Sequence, residues 1–395
     1  MKRLVIFCDG TWNRLSAKWP TNVVQAASAV PPLAPDGIAQ FVYYGEGIGT
    51  THILSRLEIW AAGAFGLGLD DKILDPYRFL IFNYEPGDEI YIFGFSRGAY
   101  TARSLAGLIR KCGILTRDKL AKLGDALSFY RDHDAEAAPD SDKAQDFRLR
   151  NAQDAVPKPD DRAARKELYE NLPEEAPPPL TLRYVGVWDT VGALGIPRYL
   201  LISKLLPLAN RYRFYDTTLS SFVEAARHAV AIDETRKAFA PTLWNNMGAL
   251  NEIAGREGKY LQQWFPGDHG SVGGGGDITG LSAITLGWIL EGAAQQGLHF
   301  DADILARHTA DPDPLASLHN STAPAGWLEG VYSRAARKGP VDVADVGASA
   351  RTRFLFERAD PPWEAYRPET LSRVAEALVW LGEHPSTPAE SRRGT

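Results

Sequence analysis

Residues 89 to 113 dictate a strand, a sharp turn and a helix in immediate succession. EIYIFGF, residues 89 to 95, is β-branched and aromatic, as a buried strand requires, and the helical pattern that follows runs from near Gly98 through Leu105, Leu108 and Ile109 to a stop at Gly113. Between them lies Gly94-Phe95-Ser96-Arg97-Gly98, of the form Gly-x-Ser-x-Gly. On such a turn the serine is held in a strained backbone conformation that lifts its hydroxyl above the sheet. The small neighbours, here Gly94 and Gly98, let strand and helix approach. The five-residue pattern alone recurs by chance in glycine-rich chains; the strand before it and the amphipathic helix after it give it meaning. The competing reading is a structural turn with an idle serine.

The same alternation extends along the chain. RLVIFC, residues 3 to 8, is a continuous apolar run ending at Asp9-Gly10-Thr11, as for a strand buried on both faces. QFVYYG at 40 to 45, TLRYVGVW at 181 to 188 and YLQQWF at 260 to 265 read as further strands. Helices are expected through Leu74 to Tyr84, Leu120 to Tyr130, and around 219 to 230, 281 to 296 and 370 to 382. The fold class is therefore α/β, with one mostly parallel sheet and helices on both faces. Residues 131 to 180, rich in Asp, Glu, Ala, Lys and Pro, read as a polar insertion outside the core. Residues 1 to 383 are expected to form one domain and 384 to 395 a disordered tail.

An activated serine needs a histidine within hydrogen-bond reach and a carboxylate to fix that histidine's tautomer. In a serine-elbow fold the chain order is Ser, Asp or Glu, then His, each past a strand end. Asp189 fits, directly after VGVW and before Gly192, although Asp also serves as an ordinary loop cap. Among the eight histidines, His269 in WFPGDHGSVGGGG follows a strand in a loop whose glycines leave room for substrate. His319 and His228 are its rivals, the latter within the helix expected at 219 to 230. The Arg97 backbone N–H, at a helix N-terminus, can donate to a developing oxyanion, and the Gly10-Thr11-Trp12 loop is the source expected for a second donor, through Thr11. Asp9 is read as organising that loop, with an alternative role as acid or cation ligand.

Composition bounds the remaining options. With 43 Lys plus Arg against 49 Asp plus Glu, no overall attraction to nucleic acid or to an anionic membrane arises. Cys8 and Cys112 are the only cysteines, which removes a disulfide framework and a thiolate metal site. The five apolar residues from Leu4 to Cys8 are too few for a signal-peptide core, and no later run reaches the length of a membrane span. The expected location is the cytoplasm, with signal-independent export as the alternative.

Five segments in order, FCDGTWN, GFSRGAYTAR, VGVWDTVG, HAVAIDETRKAFAPTLW and QQWFPGDHGSVGGGG, resemble an α/β-hydrolase family of unknown-function domains that includes type VI secretion phospholipase effectors. The resemblance covers roughly residues 1 to 300. It implies a serine esterase or lipase mechanism with Ser96, Asp189 and His269 as the triad, and phospholipid as a substrate class. Ser271 stands where the family's last motif carries Asp.

Residues 193 to 214 mix Leu200, Leu201, Ile202, Leu205 and Leu206 with Arg198, Lys204, Arg211 and Arg213. They fit a lid touching lipid, or equally a buried helix with snorkelling cations. The glycine runs at 61 to 69 and 273 to 276 lack the Gly-Lys-Ser/Thr of a nucleoside-triphosphate loop. The combined expectation is a serine hydrolase of carboxylic esters acting without cofactor or metal on a small-molecule or lipid ester. A metal-dependent phosphohydrolase is the second class, disfavoured because Phe7 occupies the position of the nucleophilic Asp that a dehalogenase-like site would place two residues before Asp9. A catalytically idle scaffold is the third.

Overall fold

In the computed structural model the described residues are 1–10, 13, 15–47, 69–155, 157, 179–192, 218–320, 334–357 and 364–384. In chain order the elements are β1 (Arg3–Cys8), α1 (Asn22–Ser28), β2 (Gln40–Gly45), α2 (Leu69–Asn83), β3 (Glu89–Phe95), α3 (Arg97–Cys112), α4 (Leu123–Tyr130) and α5 (Asp142–Asn151). There follow β4 (Thr181–Trp188), β5 (Ala226–Ala231), α6 (Met247–Asn251), β6 (Tyr260–Phe265), α7 (His269–Gly273), α8 (Gly280–Gln295), α9 (Ala302–His308), α10 (Ala348–Leu355) and α11 (Ala375–Glu383).

The strands form one six-stranded sheet in the order β2-β1-β3-β4-β5-β6, and every pair is parallel. Side-chain alternation explains the two layers on it. Leu4, Ile6, Ile90 and Ile92 face α2, α3 and α4, whereas Val5, Phe7, Tyr91 and Phe93 face α1 and α8. Both faces are covered, which is why β1 and β5 are buried along their whole length. The fold is α/β-hydrolase-like. β1 and β3 send their following connections to opposite sides of the sheet, so the C-terminal edge between them is the topological switch point, where ligands bind in open α/β sheets.

Two expectations are corrected. Residues 226 to 231 are not part of a helix at 219 to 230 but the interior strand β5. The misreading arose from Arg227 and His228, polar residues that look unsuited to a strand buried on both faces. Each has dedicated partners: Arg227 donates to the Trp288 carbonyl and to Glu291, and His228 pairs with Gln262. The stretch at 131 to 155 is likewise not a solvated excursion. Ala137, Ala144, Arg148 and Leu149 are buried, and the Arg148 guanidinium donates to the carbonyls of Lys111 (3.0 Å) and Pro139 (2.9 Å), pinning α5 to the end of α3. Its small side chains and capped charges conceal that packing from composition. The remainder of the insertion, residues 158 to 178, lies outside the described residues, as do the glycine run at 61 to 68, the candidate lid at 193 to 214 and the tail from 385 onward.

The C-terminal elements seal the β6 edge. Val346, Ala350, Phe354, Tyr366, Leu371, Val374 and Leu378 form a buried cluster with Val230, Ile232 and Trp264. A bridge between Val346 and Trp264 extends the parallel pairing beyond β6. Among the described residues, no helix is long and apolar enough to cross a membrane.

Candidate active site

Three strand ends converge at the C-terminal edge of the sheet. Ser96 follows β3, Asp189 follows β4, and His269 opens α7 just past β6. Neighbouring strands hold the first two in register, since the Ser96 amide donates to the Trp188 carbonyl at 3.0 Å and the Asp189 amide to the Ala229 carbonyl at 2.7 Å.

The turn at Ser96 is the sharp one its neighbours allow. Ser96 has φ 59° and ψ −122°, outside the regions comfortable for an L-residue, and its φ is held by strand and helix on either side. A Cβ on Gly98 would lie 2.1 Å from the Cys8 carbonyl oxygen, and one on Gly94 would lie 2.5 Å from the Gly98 oxygen, so only glycine permits this approach of α3 to the sheet. Gly10 packs directly on the turn, where a Cβ would come within 3.1 Å of Ser96 Cβ. Among the described residues, the non-glycine residues with positive φ are Ser96 and Asp189, at 59° and 37°. Backbone strain is thus concentrated at two members of one constellation.

Side-chain geometry joins the three residues. His269 Nε2 lies 2.8 Å from Ser96 Oγ, and its Nδ1 lies 2.6 Å from Asp189 Oδ2. An ionised carboxylate can only accept, so Nδ1 carries the proton and Nε2 accepts from the Ser96 hydroxyl. The imidazole is held between aromatic rings, with Phe95 at 4.6 Å and Phe239 edge-on at 4.9 Å between centroids. Gly273 makes room for the Phe95 ring, since a Cβ there would sit 2.0 Å from it. The backbone of α7 is set by Asp268, which accepts from the Ser271 amide at 2.8 Å as its N-cap.

Asp189 is completely buried, and four donors saturate it. Oδ1 accepts from the Ala231 amide (3.0 Å) and from Arg337 Nη1 (2.6 Å); Oδ2 accepts from His269 and from Arg337 Nη2 (2.9 Å). Burial alone would raise the carboxyl's pKa, but the Arg337 charge and the hydrogen bonds from His269 and Arg337 overcome it and hold Asp189 well below the usual carboxylate range. Arg337 was not among the residues singled out from the sequence. The only local signal is a basic residue in ARKGP, with nothing to distinguish it from other arginines.

The rival histidines have other partners. His228 accepts from the Thr190 amide at 3.1 Å through Nε2 and donates from Nδ1 to Gln262 at 3.0 Å. Burial and the nearby Arg103 charge push its pKa down to about 3, so it is a neutral brace beneath the residue that follows Asp189. His319 donates to Asp268 Oδ2 at 3.0 Å, and this bond raises its pKa. Ser271 bonds from its hydroxyl to the Leu318 carbonyl at 2.9 Å, fastening α7 to the segment carrying His319.

Asp9 also has four donors: the Gly10 amide, Asn13, Thr21 and Tyr44, at 2.6 to 3.2 Å. Burial lifts its pKa against the lowering effect of those bonds. The carboxylate thereby ties the loop after β1 to α1 and β2. The described residues contain no cluster of three or more His, Cys, Asp or Glu side chains arranged to hold a metal. The Arg97 amide is the first of α3, at the positive end of the helix dipole beside Ser96. Thr11, expected to supply a second oxyanion donor, lies outside the described residues.

The model of one family, the type VI secretion Tle1-like phospholipase effector catalytic domain, matches residues 2–292. An uncharacterised protein of Saccharomyces cerevisiae, YEL023C, is 28% identical over 268 residues, covering 64% of this chain and 34% of that protein. Among solved structures, an uncharacterised protein from Pseudomonas aeruginosa aligns with a TM-score of 0.43 and 17% identity over 78% of this chain and 48% of that one. The Tle1 effector bound to the VgrG spike of the type VI secretion system aligns with a TM-score of 0.35 and 18% identity over 69% of this chain and 51% of that one. The chain thus spans about a third of the length of the yeast relative and about half of each solved chain.

Proposed function

We propose, from the premise that this chain belongs to the Tle1-like family of phospholipase effector catalytic domains, that it hydrolyses carboxylic esters of lipids, phospholipids included, through a Ser96 acyl-enzyme. The observation that carries this reading is the unbroken hydrogen-bond chain from Ser96 through His269 to Asp189, with heavy-atom distances of 2.8 and 2.6 Å.

The chemistry follows from the geometry. His269 Nε2 takes the Ser96 proton as Oγ attacks the ester carbonyl, and the resulting imidazolium is stabilised by Asp189. Negative charge moves to the carbonyl oxygen. The Arg97 amide, with the helix dipole behind it, is the donor to that charge in this reading, and Gly10 packs against the same turn. The imidazolium returns its proton to the departing alcohol, water attacks the acyl-Ser96 with His269 again as base, and the carboxylic acid is released. Nothing in this sequence of steps requires a metal or cofactor.

The test compares the parent protein with Ser96→Ala on p-nitrophenyl butyrate and on phosphatidylethanolamine–phosphatidylglycerol vesicles. Hydrolysis should fall by at least about 10³-fold in the variant, whose circular dichroism should be unchanged. Equal rates in the two proteins would overturn the proposal.

A further inference from the structure

We propose that Arg337 is a positioning residue for this site, keeping Asp189 an acceptor-only carboxylate and thereby fixing the His269 tautomer that can receive the Ser96 proton. The proposal rests on the hydrolase reading above for its consequence, but its physical content concerns His269 alone. The residue lies beyond 2–292, so the part of the chain that matches the family model does not supply this group.

The geometry is specific. Both terminal nitrogens of Arg337 reach Asp189, one to each oxygen, at 2.6 and 2.9 Å. The same nitrogens are fixed from behind by the carbonyls of Ala231 (2.8 Å) and Phe239 (2.6 Å), so the guanidinium is a built-in part of the β5 end rather than a surface arm. Arg337 is 8% exposed and Asp189 is fully buried, which excludes solvent as the source of compensation for the carboxylate. The planar fork matches the carboxylate edge in a way an ammonium cannot.

Without that charge, a buried carboxyl beside an imidazole has two ways to become neutral. It can take a proton and offer an O–H to Nδ1, which leaves the hydrogen on Nε2 and the ring unable to accept from Ser96. Alternatively, His269 can protonate and pair with it. Both outcomes place a proton on the Asp189–His269 pair and remove the base. With Arg337 present the Arg–Asp pair is already neutral, and protonating His269 adds a net positive charge to a buried site. The arginine therefore disfavours a further proton on the Asp189–His269 pair.

The other charged groups nearby have partners of their own. His228, below Thr190, is neutral with Arg103 beside it. On the α7 side Asp268 pairs with His319, and Asp233 is held by the Gly267 amide and Tyr366. Arg236, over the Phe239 ring, is paired with Glu234. None of these contacts involves Arg337.

The experiment is a ¹⁵N-histidine NMR titration of the full chain, run beside the pH dependence of kcat/KM, for the parent, Arg337→Met and Arg337→Lys. In the parent His269 should carry its proton on Nδ1. In Arg337→Met the Asp189–His269 pair should take up a proton at least about one pH unit higher, with the acid limb of kcat/KM displaced equally. Arg337→Lys, which keeps the charge but loses the fork, should titrate close to the parent while turning over more slowly. Should Arg337→Met not fold, Arg337→Ala refolded with guanidinium ion should recover the parent titration. An unchanged His269 titration in Arg337→Met, or a lysine variant displaced as far as the methionine one, overturns the proposal. A parent with the expected titration but no Ser96-dependent hydrolysis would overturn the hydrolase reading instead.

Discussion

At the scale of single residues, the site depends on atoms that are absent as much as on those present. Gly98 carries no Cβ because the Cys8 and Asp9 backbone occupies that space, and a carbonyl in a buried parallel strand cannot step aside. Gly98→Ala should destabilise the protein by about 3 kcal/mol, as overpacking against rigid backbone does. Gly124 is the contrasting case: it lies in α4 with nothing within 4 Å of its missing Cβ, and Gly124→Ala should stabilise by about 0.5–1 kcal/mol. Urea denaturation of both variants checks the pair, and equal stabilities would refute the close approach at the turn. Ser96 and Asp189 each directly follow an apolar strand and His269 lies four residues past the end of β6, so strand order in a parallel sheet brings the three candidates read from the sequence to one edge. Arg337 was not, because 148 residues separate it from Asp189 and no periodicity marks it. An arginine becomes recognisable as a carboxylate clamp only when its partner is in place.

At the scale of elements, polar residues inside the core decide where sequence reasoning succeeds. β1 and β3 are apolar past their first residues, Arg3 and Glu89, and read directly as strands, whereas β5 places Arg227 and His228 in the interior and reads as an amphipathic helix. Its partners, the Trp288 carbonyl with Glu291 and the Gln262 amide, come from α8 and β6, far along the chain. The C-terminal elements were hard to place for a related reason: their apolar residues are spaced across short helices and turns and combine only on the β6 edge. Phe354, 1% exposed within that cluster, measures how firmly they are attached. Phe354→Ala should cost about 3–5 kcal/mol in thermal or urea unfolding. A loss below about 1 kcal/mol would mean that the segment carrying Arg337 is loosely docked.

At the scale of the whole molecule, one sheet carries everything described, with a separate layer of helices on each face and the strand-end loops on one edge. Both cysteines sit in the layer on the α3 face, Cys8 at the end of β1 and Cys112 at the end of α3, and burial pushes each thiol's pKa up to about 12. A raised thiol pKa keeps the reactive thiolate scarce at neutral pH, so both should resist alkylation by iodoacetamide at pH 8 until the domain opens globally. Mass spectrometry along a urea series should show both labelled together at the unfolding midpoint. Labelling of either well below that midpoint would show local opening of this layer.

Ester hydrolysis by this site requires Ser96 to be an activated nucleophile. Incubating the folded protein with a fluorophosphonate and measuring intact mass tests this directly. The expected result is a single adduct mapping to Ser96, abolished in Ser96→Ala and strongly slowed in His269→Ala. No adduct on folded protein, or one whose formation is indifferent to Ser96→Ala, would contradict it.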